Sequence, residues 1–326
     1  MHISATIRRS LAVACLVATA VAGHAAVTVD PKLPVYNVTS GVSGTIKSVG
    51  SDTMNNMMAL WAEAFKQMYP NIQVEIEGKG SGTAIPALVS GTSIFGPMSR
   101  ATKDKERDEF EKKFGFKPTQ LPTSIDMLAV FVHRDNPIKG LSLKQIDGIF
   151  SKTYKSGSEN IERWGQVGLT GEWANLPISL YGRNSASGTY GYFKKNAMKK
   201  GDYKDSVKEQ PGSSAVVNGI AKTKGGIGYS GIGYKTADVR VVPLAASGTD
   251  YVEASADNVE DYPLSRHLYL TVNYEPGAEL DTLRQEFIKY IFSQQGQSAV
   301  VSDGYLPIDA ATARAALKAV GIEPGS

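Results

Sequence analysis

Gly182-Arg183-Asn184-Ser185-Ala186-Ser187-Gly188-Thr189 sets a guanidinium four residues ahead of a Ser-Gly-Thr that opens a helix-like segment over 190–200. The first turn of a helix carries unpaired N–H groups and a partial positive charge, which suit a tetrahedral oxyanion. The Ser187 and Thr189 hydroxyls add donors. Gly188 has no Cβ, so a ligand can come close to the backbone. Arg183 adds a permanently charged planar fork. Ser187 and Thr189 would serve equally well as ordinary helix N-caps, so the motif alone leaves two readings open. The rest of the chain weighs on that choice. It holds a second Ser-Gly-Thr at Ser81-Gly82-Thr83 and a related Gly50-Ser51-Asp52-Thr53, each just before a helical pattern. Three loops of one chemistry, far apart in sequence, point to one small anion held from several sides. Asp52 reads either as part of that site or as the N-cap of a helix over 54–68.

Outward from these loops, strand-like and helix-like stretches alternate, as an α/β fold requires. Residues 45–49 and 72–76 read as strands. Between them, 54–68 is a helix with Met57, Leu60, Trp61, Ala64, Phe65 and Met68 on one stripe. Residues 84–89 read as a short helix, with Pro86 in its first turn. The unbroken apolar run 127–132 suits one strand buried on both faces. Further helices are expected at 143–150, 216–221, 280–292 and 310–320, and strands at 178–181, 226–229 and 267–272. Residues 100–113 read as a solvated, charged helix face, and 26–43 as a loose leader. Two prolines sit where the chain would cross between lobes, Pro122 before the run at Met127 and Pro263 before the strand at His267. Two crossings give lobe 1 from 26–123 and 263–326, with lobe 2, 124–262, inserted into it. In such α/β proteins the ligand lies at the strand C-termini, in the crevice between lobes.

Residues 1–25 read as a secretory signal peptide. Arg8 and Arg9 form the charged region, 11–22 is apolar, and Gly23-His24-Ala25-Ala26 offers the cleavage site. The apolar run is too short to span a bilayer. The one cysteine, Cys15, leaves with it, so the mature chain enters an oxidising compartment without a disulfide. Removing Arg8 and Arg9 from 35 basic residues leaves 33 against 32 acidic, a near-neutral balance. That balance argues against nucleic acid as a partner, and any anion site must come from local geometry. Only His133 and His267 remain, which leaves nothing resembling a zinc site or a histidine-dependent triad. No metal, cofactor or enzymatic activity is expected.

The order and spacing of Val49-Gly50-Ser51-Asp52-Thr53, Gly78-Lys79-Gly80-Ser81-Gly82-Thr83, Phe95-Gly96-Pro97-Met98-Ser99-Arg100, the Arg183 loop and Gly226-Ile227-Gly228-Tyr229 resemble the PstS family. These are the periplasmic receptors of phosphate ABC transporters, and the similarity runs over about residues 44–320. It implies a two-lobe, type II-like periplasmic binding protein with two mixed sheets flanked by helices and a double-crossover hinge. It implies a monomer that takes inorganic phosphate and delivers it to membrane permease subunits. The family's phosphate contacts fall on Asp52, Thr53, Ser81, Arg183, Ser187, Gly188 and Thr189. Where well-known members carry the acid that accepts the phosphate proton, this chain has Ser99, followed by Arg100. Ser99 and Arg100 are therefore also candidates, and the acceptor role passes to Asp52, with Arg100 as a possible partner holding it ionised. A receptor for sulfate or molybdate, or a phosphate-ester hydrolase, stays open as an alternative.

Overall fold

A computed structural model describes residues 27–323, and the signal peptide assigned to 1–25 lies outside them. The chain begins with β1 (Gly44–Val49), α1 (Asn55–Met68), β2 (Ile72–Glu77), α2 (Ala84–Ser90), β3 (Phe95–Met98), α3 (Asp104–Phe114) and β4 (Thr119–Met127). There follow β5 (Ala129–His133), β6 (Leu141–Ser142), α4 (Leu143–Phe150), β7 (Ser179–Arg183), α5 (Gly188–Asn196), β8 (Lys208–Gln210), α6 (Ser213–Ala221), β9 (Gly226–Ser230), β10 (Val239–Val241) and β11 (Leu244–Ala245). It ends with β12 (Ser265–Val272), α7 (Thr282–Ile291), α8 (Gln294–Ser302) and α9 (Ala310–Lys318).

Two five-stranded sheets organise these elements, in the orders β2-β1-β3-β12-β4 and β10-β5-β9-β7-β8. Both are mixed. In the first, β1 runs parallel to β2 and β3 while β12 is antiparallel to β3 and β4. In the second, β7 is parallel to β8 and β9 while β5 is antiparallel to β9 and β10. Helices cover the sheets because their apolar stripes need burial. In α1, Met57, Met58, Trp61, Ala62 and Phe65 are buried, and each large side chain contributes about 1.5–3 kcal/mol. Trp61 keeps its indole N–H satisfied on the Gly296 carbonyl, 2.7 Å away.

The apolar run at 127–132 is not one strand. β4 ends at Met127, β5 begins at Ala129, and the two lie in different sheets. The run is continuous because the crossing itself is buried, with Leu128 fully covered. Pro122 does not mark the crossing either. It lies inside β4, opposite Tyr269, where the ladder shifts register. β4 is the edge strand of its sheet, so an imino acid there costs no interior ladder bond. The return crossing runs beside the first one. Met127 pairs with Ser265, and the Leu128 N–H donates to the Leu264 carbonyl at 3.1 Å. The segment before β1 is not loose. Leu33, Tyr36 and Val42 enter the first core, and Tyr36 donates to Glu286 at 2.9 Å.

One carboxyl between the lobes is placed at a cost. Asp303 follows α8, and its carbonyl packs so closely on Gly233 that a Cβ there would collide with it. Its Oδ2 is buried without a partner, and burial pushes the carboxyl up to about 7. The folded chain then holds a proton that the unfolded chain releases near 3.8. Stability from that proton is full below this lower value and is lost as pH rises through about 7. Discounted for its remaining solvent contact, the loss is roughly 2 kcal/mol. Asp303→Asn should therefore melt a few degrees above wild type at pH 8 and match it near pH 3. Equal melting temperatures at both pH values would show that the carboxyl is solvated.

Candidate functional site

The strands β1, β2, β3 and β7 all end at the seam between the lobes, and the loops that follow them meet there. After β1 and β2 the chain turns through short 3-10 helices, Asp52–Met54 and Ser81–Thr83, before α1 and α2 begin. After β7 it passes through Ser187 into α5. Such tight entries aim backbone N–H groups at the seam. The loops also touch directly, since the Gly82 N–H donates to the Ala186 carbonyl of the opposite lobe at 3.0 Å.

The hydroxyls interlock across this seam. Thr53 Oγ1 lies 2.8 Å from Thr189 Oγ1, and Ser81 Oγ lies 3.2 Å from Ser99 Oγ. The Ser99 N–H donates to Ser81 Oγ at 3.0 Å, and Ser99 Oγ is 3.5 Å from Thr189 Oγ1. Thr53, Ser81, Ser99, Ser187 and Thr189 are all buried. Gly188 sits among them at the first position of α5. A Cβ there would collide with Ser81 Oγ and stand 2.6 Å from Ser99 Oγ. Ser187 does act as N-cap, accepting the Tyr190 N–H at 3.3 Å.

Arg183 ends β7 with its side chain 1% exposed. It donates to Ser213 Oγ at 2.8 Å and to the Pro211 carbonyl at 3.0 Å, and lies 3.4 Å from Asp52 Oδ1. Its Nε is buried without a partner. An unpaired buried N–H on a charged group is expensive, so it marks donor capacity the protein itself does not use. Burial lowers the guanidinium's pKa and Asp52 raises it. An arginine nonetheless remains charged at any physiological pH.

Asp52 does not cap α1. The short helix it opens has no side-chain cap bond at its start, and Asp52 Oδ1 instead accepts the Ser213 N–H of the opposite lobe at 2.7 Å. Ser213 is the first residue of α6, so Asp52 caps a helix 161 positions away. Its own carbonyl accepts from Tyr234 at 2.8 Å. Arg100 does not reach Asp52. Its guanidinium grips Glu106 with both Nη atoms, at 2.8 and 2.6 Å, within its own lobe. The partner of Asp52 is Arg183.

Two residues of the site were not expected. Arg266 of β12 is buried and donates to Asp126 Oδ2 of β4 through Nε and Nη2, at 2.9 and 2.6 Å. The same guanidinium reaches the Ser99 carbonyl and Thr189 Oγ1, both at 2.9 Å. Asp126 Oδ1 accepts the Ile232 N–H at 3.0 Å. The pair sits on the two strands that lead into the crossovers and bonds to both lobes. The site thus holds two buried arginines, Arg183 matched by the half-buried Asp52 and Arg266 by the buried Asp126, and a ring of neutral donors. Among the described residues, no histidine or lysine is a hydrogen-bond partner of these hydroxyls. The arrangement suits holding an oxyanion rather than activating a nucleophile.

Comparison with known proteins agrees with this geometry. Residues 37–295 match the model of the PBP superfamily domain. The chain is 50% identical over 321 residues to a phosphate-binding protein PstS of Pseudomonas aeruginosa, covering 97% of this chain and 99% of that one. A PstS of Staphylococcus haemolyticus is 27% identical over 264 residues, 79% of each chain. Among solved structures, a phosphate ABC transporter substrate-binding protein with bound phosphate from Clostridium perfringens superposes with a TM-score of 0.67 at 24% identity, covering 81% of this chain and 99% of that chain. An ABC-type phosphate transport receptor from Vibrio cholerae gives 0.61 at 23%, covering 82% and 100%. At those identities the two structures speak to the fold, while the Pseudomonas relative speaks to descent. The chain belongs to the PBP superfamily and, within it, to the family of PstS phosphate-binding proteins.

Proposed function

We propose that this protein is a periplasmic receptor for inorganic phosphate, monomeric, which closes two lobes around the anion and presents the closed form to the permease of an ABC transporter. The observation that carries the reading is Arg183, buried with an unpaired N–H at a seam ringed by hydroxyls from both lobes. The naming of its 50%-identical, full-length relative as a phosphate-binding protein supports the same ligand. On this reading Asp52, Thr53, Ser81, Ser99, Arg183, Ser187, Gly188 and Thr189 line the anion. Arg100, engaged by Glu106, stays outside the lining.

A buried dianion is tolerable only when its oxygens find donors all round. Donors from each lobe are complete only when the lobes meet, so the anion shifts the population toward closure. The moving units divide at the paired crossovers near Leu128 and Leu264. Purified protein should carry phosphate, and removing it should lower the melting temperature in a way that added phosphate reverses. A melting temperature indifferent to phosphate, with no anion carried, would remove this reading.

Asp52 is placed to sort anions. At neutral pH phosphate keeps a proton that a carboxylate can accept, while sulfate has none and is repelled. Asp52→Asn keeps an acceptor for the Ser213 N–H but loses the charge. It should narrow the preference for phosphate over sulfate by at least tenfold in competition calorimetry. A variant that still ignores millimolar sulfate would leave Asp52 only as the cap of α6.

A further inference from the structure

We propose that a basic groove at the seam, lined by residues 100–104 of one lobe and the α5 side of the other, is an electrostatic entry vestibule for the phosphate dianion. The proposal rests on the receptor reading above. The groove has a volume of about 630 Å³ and is lined by Arg100, Lys103, Lys195, Lys200 and Arg266, with Asp104 as the only acid. Two of these cations are matched, Arg100 by Glu106 and Arg266 by Asp126. Asp104 is itself paired, with Arg107. The excess charge is therefore that of Lys103, Lys195 and Lys200, all exposed. Neither Lys195 nor Lys200 has a carboxylate partner among the described residues.

Position makes the patch more than a solvated face. Its floor is Arg266, whose Nη2 also donates to Thr189 Oγ1, so groove and anion site share one side chain. Lys103 is carried by the segment leaving Ser99, while Lys195 and Lys200 belong to α5 and the turn after it, which begins at Gly188. Opening the lobes keeps a positive wall on each side. That turn also holds Lys199 and Lys200 at φ 47 and 62, a left-handed conformation uncommon outside glycine.

The chain is otherwise near neutral, so its overall charge gives a dianion little guidance. Local charge in a low-dielectric cleft focuses field lines and raises association rates, an effect that salt removes. The variant Lys103→Gln/Lys195→Gln/Lys200→Gln tests this by stopped-flow measurement of inorganic phosphate association from low to high ionic strength. The matched control is Lys112→Gln/Lys113→Gln/Lys318→Gln, three exposed lysines that do not line the groove. We expect the groove variant to associate roughly three- to tenfold more slowly at low salt. Its rate should depend little on salt, and its dissociation rate should match wild type. An association rate and salt dependence equal to those of the control would overturn the vestibule while leaving the receptor reading intact. Failure of wild-type protein to bind phosphate would overturn both.

Discussion

Arg183→Ala should weaken phosphate binding by about two orders of magnitude while the protein stays folded. The substitution removes the cation nearest Asp52 and the donor left unpaired in the seam. Leaving one member of a buried, hydrogen-bonded charge pair alone costs on the order of 2–5 kcal/mol, and each 1.4 kcal/mol is tenfold in affinity. Asp52, no longer balanced, would also repel the incoming anion. Arg183→Lys should recover part of the loss, because it restores charge without the planar fork. Calorimetry on the three proteins checks this. Wild-type affinity in Arg183→Ala would take Arg183 out of the site.

Gly188→Ala should have a comparable effect by a different route. The added methyl meets Ser81 Oγ and Ser99 Oγ, which lie on the opposite lobe. Each lobe can fold around alanine, since the first position of a helix accepts it readily. What the methyl obstructs is the approach of the lobes. We expect at least a tenfold loss of affinity and loss of the contraction that phosphate causes in small-angle scattering. A variant that contracts and binds normally would mean that closure is looser than this packing implies.

That these loops meet at one seam was readable from the sequence because their shared chemistry is local. Arg183, Ser187, Gly188 and Thr189 fall within one turn-and-helix entry, and the Ser81 loop repeats its pattern. The alternation of strands and helices gave the α/β class for the same reason. Pairings across long separations were hidden. Arg266 and Asp126 are 140 positions apart and meet only through the β4–β12 register, which no local pattern encodes. The role of Asp52 was ambiguous because an acid before a helix looks like its cap, whereas this one serves a helix in the other lobe. The break at Leu128 was invisible because a buried crossing and a buried strand have the same apolar composition. The helix α8 was missed because its sequence, Gln294-Gln295-Gly296-Gln297-Ser298-Ala299-Val300-Val301-Ser302, carries no strong apolar stripe. Arg100 heads a charged run and reads as a ligand contact or a lobe-to-lobe salt bridge, but its partner, Glu106, lies only six positions on in the same lobe.

The most direct test is a calorimetric titration of anion-stripped protein with phosphate, alone and in the presence of millimolar sulfate. The account predicts saturable binding of one phosphate per chain, with an affinity that sulfate leaves essentially unchanged. No binding of phosphate, or displacement of phosphate by equimolar sulfate, would contradict it.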